Sequence, residues 1–267
     1  MNTALTRNQL MRGFQIQRSV VFALFMKEYR AKLAGSRFGL LWSLAEPAAY
    51  MLILSFVWLA IGREEILGVP VFLFIALGML ALKLFQSGIN TVSSAVRQNL
   101  NLLDYPNVKP IDAFYARYMA EIMILAISGI WLIGGLYWVL GYELTPRDFP
   151  LLLVTIVLAL LNTLGLSILF GVYKTKSESF QRAVTIAAQP LLFISAVFYP
   201  LSIIPLDGQY WLSWNPIVQV NELVRVAMFG WTPATDVSLE YLSMCTLVTL
   251  FLAYLAYFAN RFTLLKK

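Results

Sequence analysis

The stretch "PLLLVTIVLALLNTLGLSILFG" (residues 150–171) contains no ionisable side chain. A helix rises about 1.5 Å per residue, so a run of this length covers the roughly 30 Å hydrocarbon core of a bilayer. The whole chain is 60% hydrophobic and 13% charged, whereas soluble domains are about half apolar and about a quarter charged. The sequence therefore predicts an all-α, polytopic membrane protein.

Apolar segments of similar length recur on both sides of this stretch. We predict six transmembrane helices, at residues 44–61, 70–96, 119–140, 150–171, 184–204 and 240–259. The connecting segments are too short to form a water-soluble core. The 267 residues are therefore predicted to form a single membrane domain.

Lysine and arginine are distributed unevenly between the connecting segments, and this bias predicts orientation. Lys83 is counted separately, because it lies within a predicted span. Of the other basic residues, sixteen fall in segments on one side of the membrane and three on the opposite side: Arg63, Arg147 and Arg225. Both termini are therefore predicted to be cytoplasmic. The N-terminal segment lacks an apolar run of secretory length, so no cleavable signal peptide is expected. Residues 14–43 are predicted to lie as a helix on the inner membrane surface.

Residues 205–231 are apolar enough to suggest a seventh crossing. A seventh crossing would place the basic C-terminal residues outside, against the charge bias. The Asn215-Pro216 pair interrupts the segment, and Glu222 and Arg225 are three apart, which makes them neighbours on one helix face. These features predict a re-entrant hairpin in the outer leaflet.

The second apolar segment carries a polar stripe. Lys83, Ser87, Asn90, Ser94 and Arg97 are spaced 4, 3, 4 and 3 residues apart, so they share one helix face. Lys83 lies about 20 Å along the helix from the end of this segment at the outer membrane face. This depth predicts a hydrated, positively charged groove that is open to the cytoplasm. A helix that leaves the membrane early, with Lys83 snorkelling to the interface, is the open alternative. The candidate substrate-pathway residues are Arg37, Lys83, Ser87, Asn90 and Arg97.

Aromatic residues concentrate at the predicted outer face, among them Tyr199, Trp211 and Trp214. An ordinary interfacial belt explains such residues. The alternative is an aromatic exit, in which flat ring faces stack on the C–H faces of sugars and let a polymer slide.

Several functional classes lack their usual residues. The chain has no histidine and one cysteine, which excludes disulfides, histidine-containing zinc sites and Ser-His or Cys-His catalysis within it. The string "GVYKTKS" (171–177) lacks the glycine before the lysine and the strand-to-helix setting of a nucleotide-binding loop. Five of the six predicted spans have no ionisable group at their centre, which disfavours an ion-coupled carrier. We therefore expect a protein that is not an enzyme, binds no metal and takes its energy from elsewhere.

The stretch "LLDYPNVKPID" (102–112) is a polar segment between apolar ones, on the predicted inner side. Its two prolines restrict the residues before them to extended conformations. Asp112 is a suitable N-cap for a short helix. A stiff, exposed element of this kind suits docking in the groove of another protein, and a solvated connecting loop is the alternative.

Four stretches together resemble the membrane subunits of type-2 ABC exporters, and within that class the capsular polysaccharide export permeases of Gram-negative bacteria. The stretches are "RFGLLWSLAEP" (37–47), "YPNVKPID" (105–112), "VFYPLSIIP" (197–205) and "WNPIVQVNELVR" (214–225). The likeness runs from about residue 14 to the C-terminus. Relatives that export O-antigen or teichoic acid share the general layout.

The resemblance implies a homodimer with two copies of a separate cytoplasmic ATPase, which binds ATP and Mg while this chain binds no cofactor. Residues 103–117 are similar to the coupling element that docks in the ATPase, and residues 205–231 to the hairpin that caps the exit. The implied ATPase-coupling residues are Leu103, Tyr105, Pro106, Val108, Lys109, Pro110 and Asp112.

The implied cargo is an acidic capsular polysaccharide on a phosphatidylglycerol-type lipid anchor, moved from the inner leaflet of the bacterial inner membrane to the periplasm. A periplasmic co-polymerase-type protein and an outer-membrane channel are further implied partners, and no nucleic acid is expected. Basic residues near the inner mouth, Arg30 and Lys32 included, would attract the anionic headgroup. An exporter of another lipid-linked polymer or of drugs, a membrane-bound acyl- or glycosyltransferase, and a scaffold without a pathway are the alternatives.

Overall fold

The computed structural model of the chain describes residues 7–34, 39–141, 145–234 and 236–264. Its helices are α1 (Arg7–Ala34), α2 (Gly39–Ala60), α3 (Val71–Asn90), α4 (Ala95–Gln98), α5 (Pro110–Leu140), α6 (Phe149–Lys176), α7 (Glu178–Ala187), α8 (Leu191–Ile194), α9 (Leu206–Ser213), α10 (Pro216–Phe229) and α11 (Leu239–Asn260). Between α2 and α3, strands β1 (Glu65–Ile66) and β2 (Val69–Pro70) form an antiparallel pair. The predicted pathway residue Arg37 lies outside the described residues.

Within these described ranges, four helical stretches are long and apolar enough to cross a membrane: Val71–Gln98, Pro110–Val139, Phe149–Lys176 and Leu239–Asn260. They cover the second, third, fourth and sixth predicted segments. The first predicted segment corresponds to α2, whose shorter apolar part is Ala45–Ala60. The helical, polytopic architecture is therefore confirmed. α5 begins nine residues before the predicted limit of 119, because its first turns are polar and apolarity alone does not register them.

The fifth predicted segment, 184–204, is not one continuous helix, and this expectation is wrong. α7 ends at Ala187 and α8 is a single turn. Pro190 between them has no N–H to donate to a preceding turn, and Ala196 takes a positive φ of 52°. The stretch from α7 to residue 204 is therefore a broken helix, and side chains of α10 satisfy some of the carbonyls at the break, because Asn221 donates to the carbonyl of Ser195 at 2.7 Å.

This broken stretch nevertheless passes from one end of the bundle to the other. Arg97 at the end of α4 donates to Glu178 at the start of α7, at 2.7 Å, and Trp58 near the end of α2 donates to the carbonyl of Phe198, at 2.9 Å. We call the end formed by α1, α4 and the start of α5 the basic end. The opposite end, formed by α9, α10 and the starts of α3, α6 and α11, is called the aromatic end.

α3 lies at the centre of the fold and contacts α2, α5, α6 and α10. Its close approach to α6 depends on Gly88. A Cβ at this position would lie 2.4 Å from Cγ2 of Thr163 and 2.8 Å from Oγ of Ser167. Small residues at such a contact let two helices pack closely in a membrane protein.

We predict that Gly88→Val destabilises the fold by about 1–3 kcal/mol, because the added atoms overfill the contact between α3 and α6. Thermal unfolding of the detergent-purified protein measures the effect. Gly135→Val in α5 is the matched control, since no atom lies within 4 Å of a Cβ there. Equal melting temperatures for the two variants would contradict the close packing of α3 on α6.

The segment predicted as an outer hairpin forms two helices, α9 of 8 residues and α10 of 14. Neither is long enough to span a bilayer. The Asn215-Pro216 pair separates them, because the Asn215 side chain accepts from the N–H of Ile217 at 3.0 Å and caps α10. The predicted interruption at Asn215-Pro216 is therefore confirmed.

The predicted pairing of Glu222 and Arg225 is confirmed, with Arg225 Nη1 at 3.0 Å from Glu222 Oε1. Arg225 was expected in an outer loop, but its side chain is fully buried. It also donates to the carbonyl of Val197 at 2.8 Å, and its guanidinium lies 3.6 Å from the ring centre of Phe74. Glu222 in turn accepts from the N–H of Leu201 at 3.2 Å. This clamp ties α10 to α3 and to the broken stretch.

Candidate substrate cavity and coupling surface

A cavity of about 350 Å³ opens beside α3 in the half of the bundle nearer the basic end. Lys83, Ser87 and Asn90, three of the predicted pathway residues, line it together. Glu46 of α2 and Glu121 of α5 line it from the opposite walls. The structure thus brings the middle of the polar stripe into one polar cavity, and a role of these residues in transport stays a prediction.

A second cavity, of about 220 Å³, lies on the other side of the stripe. Glu46, Lys83 and Asn90 line this cavity as well as the first. Its far wall comes from the joint between α7 and α8, with Ala188 and Gln189. The helix break, which the sequence did not predict, therefore lies next to the polar stripe and lines a cavity there.

The lysines of the first cavity are paired with carboxylates. Lys83 on α3 forms an ion pair with Glu46 on α2, and Lys32 on α1 lies 2.5 Å from Glu121 on α5. The groove predicted to be positively charged is therefore largely neutralised by its own walls. Glu46 and Glu121 could have been found from the sequence, because they are acidic residues close to the cytoplasmic limits of the predicted segments 44–61 and 119–140.

Two polar atoms of the stripe have no partner. Ser87 Oγ and Asn90 Oδ1 are buried, and neither has a hydrogen-bond partner among the described residues. Buried polar atoms are nearly always hydrogen-bonded, to protein or to water. The two atoms are therefore candidates for hydrogen bonds with water or with a bound molecule, once a side-chain rotation turns them into the cavity.

Arg97 does not share this arrangement. α3 ends at Asn90, and a short 3-10 helix at Val92–Ser94 precedes α4. The change in helical pitch breaks the predicted spacing, so Arg97 binds Glu178 and Gln181, each at 2.7 Å. The stripe predicted as one continuous face is therefore split after Asn90.

α1 is tied to the rest of the basic end by a buried carboxylate. Glu28 accepts from Asn99 at 2.8 Å and from Arg117 of α5. Burial alone would raise the pKa of Glu28, but the hydrogen bond from Asn99 and the charge of Arg117 together hold it below its ordinary value. α1 also reaches the predicted coupling region, where Gln17 donates to Asp112.

The predicted coupling region is a series of turns that leads directly into α5. α5 begins at Pro110, a residue favoured at the first helical position. The expectation that Asp112 is an N-cap is wrong. Lys109 occupies that position, and Asp112 sits in the first turn, where its Oδ2 accepts from the Lys109 N–H at 2.8 Å. Pro110 begins the helix, so the N-cap lies three residues earlier than predicted.

The seven predicted coupling residues differ in exposure. Leu103, Pro110 and Asp112 are buried and anchor the turn. Val108 is half-buried. The residues open to a partner are Tyr105, Pro106 and Lys109.

The predicted aromatic exit divides into two groups. Trp211 and Trp214 are 73% and 59% exposed, and both pack edge-on against Tyr210, at 5.7 and 6.1 Å between ring centres. Tyr199 instead packs on Phe198, at 5.1 Å. The structure therefore forms a tryptophan patch on α9 and the turn after it, with Tyr199 in a separate cluster.

Comparison with known families assigns this architecture. Residues 19–229 match the ABC-2 type transporter family, to which the chain therefore belongs. The chain is 35% identical to the polysialic acid transport protein KpsM of Escherichia coli, over 92% of this chain and 95% of that protein. It is 23% identical to the capsule polysaccharide export inner-membrane protein CtrC of Neisseria meningitidis, over 93% of each chain. It is 25% identical to the O-antigen export system permease protein RfbA of Myxococcus xanthus, over 79% of this chain and 81% of that protein.

Proposed function

We propose that the chain is the permease subunit of an ATP-driven exporter that moves lipid-linked acidic capsular polysaccharide across the bacterial inner membrane. The main support for this proposal is the 35% identity to a polysialic acid transport protein over nearly the full length of both chains. The polar cavity in the basic half supports the proposal, because a charged glycolipid needs a hydrated site with cationic groups to leave the inner leaflet.

In this proposal the transporter crosses the membrane six times, with the stretch from α7 to residue 198 as a broken fifth crossing. α1 lies on the inner surface, α9 and α10 form a re-entrant hairpin at the outer face, and both termini are cytoplasmic. The uneven distribution of lysine and arginine supports this orientation.

The energy comes from a separate ATPase subunit, which binds ATP and Mg. Two ATPase copies dock on a homodimer of this chain through the turn at residues 103–109. Membership of an ABC transporter family supports the ATPase partner, and the exposed side chains of Tyr105, Pro106 and Lys109 suit a docking contact. A periplasmic co-polymerase-type protein and an outer-membrane channel continue the route.

The test is deletion of the gene from its own bacterium, followed by measurement of surface and intracellular acidic polysaccharide. We expect surface polysaccharide to disappear and intracellular polysaccharide to accumulate, and a plasmid copy to reverse both changes. Unchanged surface polysaccharide would contradict the proposal.

The likeness to an O-antigen export permease supports a second cargo, a lipid-linked O-antigen. The deletion strain separates the two candidates, because gel analysis of its lipopolysaccharide reports O-antigen directly. Loss of O-antigen with an intact capsule would favour the second cargo.

If the tryptophan patch forms part of the exit, Trp211→Ala and Trp214→Ala should each lower export several-fold, because each removes a flat apolar face on which a sugar can stack. Surface polysaccharide per unit of transporter measures the effect. Trp138→Ala is the matched control, since Trp138 is also exposed at the aromatic end but lies on α5. Unaltered export in both patch variants would reject the stacking role and leave an ordinary interfacial belt.

A further inference from the structure

We infer that Lys83 and Glu46 form a counter-ion exchange site, in which an anionic group of the cargo displaces the Glu46 carboxylate from the Lys83 ammonium. The ligand class is a phosphate or carboxylate attached to a polyhydroxylated unit. The inference rests on the proposed function for the source of this ligand, and on the geometry of the two cavities for the exchange itself.

The position of Lys83 permits the exchange. Lys83 borders both cavities, so an anion can reach its ammonium from either side. Its Nζ lies 5.3 Å from the ring centre of Tyr50, so the ring still faces the cation when the carboxylate has left. A lysine ammonium has three donors, and the ion pair with Glu46 uses one of them.

The position of Glu46 makes the pair easy to open. The Glu46 side chain is 45% exposed, compared with 21% for Lys83. An exposed ion pair contributes little, because water solvates the separated charges nearly as well. The carboxylate can therefore turn to solvent while Lys83 stays in the cavity wall.

The unpaired atoms of the stripe complete the site. Ser87 lies one helical turn from Lys83 and Asn90 almost one turn further, so all three share one face of α3. The Ser87 hydroxyl can donate to an oxygen of a phosphate or carboxylate, and Asn90 Oδ1 can accept from a sugar or glycerol hydroxyl. A cation, a neutral donor and a neutral acceptor in one wall match an anionic group on a polyol.

Exchange has a structural consequence. The Lys83–Glu46 pair joins α3 to α2, so displacement of Glu46 removes an ionic link between these two helices. Binding of the cargo would then loosen α2 beside the cavity. The site thus both recognises the cargo and couples cargo binding to the packing of α2.

The experiment uses the purified complex of the full chain with its ATPase, in nanodiscs. One arm titrates phosphatidylglycerol into phosphatidylcholine nanodiscs and counts bound anionic lipid by native mass spectrometry. The other arm adds soluble tri-galacturonate, with neutral maltotriose as its control, and measures its binding by calorimetry. The first probe carries a lipid phosphate and the second carries sugar carboxylates, so the arms separate the two sources.

We expect Glu46→Gln to tighten binding about fivefold in at least one arm, because Lys83 then has no resident carboxylate to lose. Lys83→Gln should weaken the same binding about tenfold. The double variant should match Lys83→Gln alone, since Glu46 acts only through Lys83. Tightening in the lipid arm alone assigns the phosphate as the ligand group, and tightening in the sugar arm alone assigns the carboxylate.

Glu240→Gln is the charge-matched control, because it removes one acidic group at the start of α11, at the aromatic end. Unchanged binding in both arms for Glu46→Gln, or equal tightening for Glu240→Gln, would overturn the exchange. Failure of the proposed function is distinguishable: a deletion strain with a normal capsule would reject the cargo, while exchange in the purified complex would still be observed.

Discussion

Membranes of cells that express the Arg225→Met variant are expected to contain very little folded permease. Arg225 is 0% exposed, and its loss leaves the buried Glu222 carboxylate without its cation. Removal of one partner from a buried ion pair costs about 3–5 kcal/mol, which is a large part of the roughly 5–15 kcal/mol that stabilises a typical domain. Fluorescence-detected size exclusion and thermal unfolding in detergent measure the loss.

Two further variants make this result specific. Arg147→Met changes an exposed arginine at the same end of the bundle and should alter stability by no more than about 0.5 kcal/mol. Glu222→Gln combined with Arg225→Met should recover part of the loss, because no buried charge is then left unpaired. A wild-type melting temperature for Arg225→Met would show that the clamp does not stabilise the packing of α10.

Tyr105→Ala is expected to uncouple the permease from its ATPase without affecting the fold. Tyr105 is 63% exposed in the turn before α5, so its removal leaves no internal cavity. Tyrosines at the centre of an interface often contribute at least about 2 kcal/mol, which corresponds to roughly 30-fold weaker binding. Co-purification of the ATPase and export of polysaccharide should fall together.

Tyr137→Ala is the matched control for this prediction. Tyr137 lies on the same helix as Pro110, is 58% exposed, and is located near the aromatic end. It should retain the ATPase at the wild-type level. If Tyr105→Ala also retained it, the turn at residues 103–109 would not be the docking element, and the ATPase would have to bind elsewhere.

Sequence reasoning was most successful where a property depends on neighbouring residues. Four long helices could be predicted because each contains a long apolar run. The Glu222–Arg225 pair could be predicted because two residues three apart share a helix face. It failed at the fifth segment, where Pro190 and the positive φ of Ala196 break an apolar run. It also misplaced the N-cap of α5, because Pro110 begins the helix before the more favourable capping residue.

The amino-acid sequence by itself determined the membrane class, the approximate limits of most spans and the polar stripe on α3, because composition and helical period are local properties. Only the tertiary structure decided what the stripe faces. Glu46, the partner of Lys83, lies 37 residues away, and the second cavity is lined by the joint that follows α7. The packing of the helices determines which side chains of different helices meet. No local sequence pattern encodes that packing.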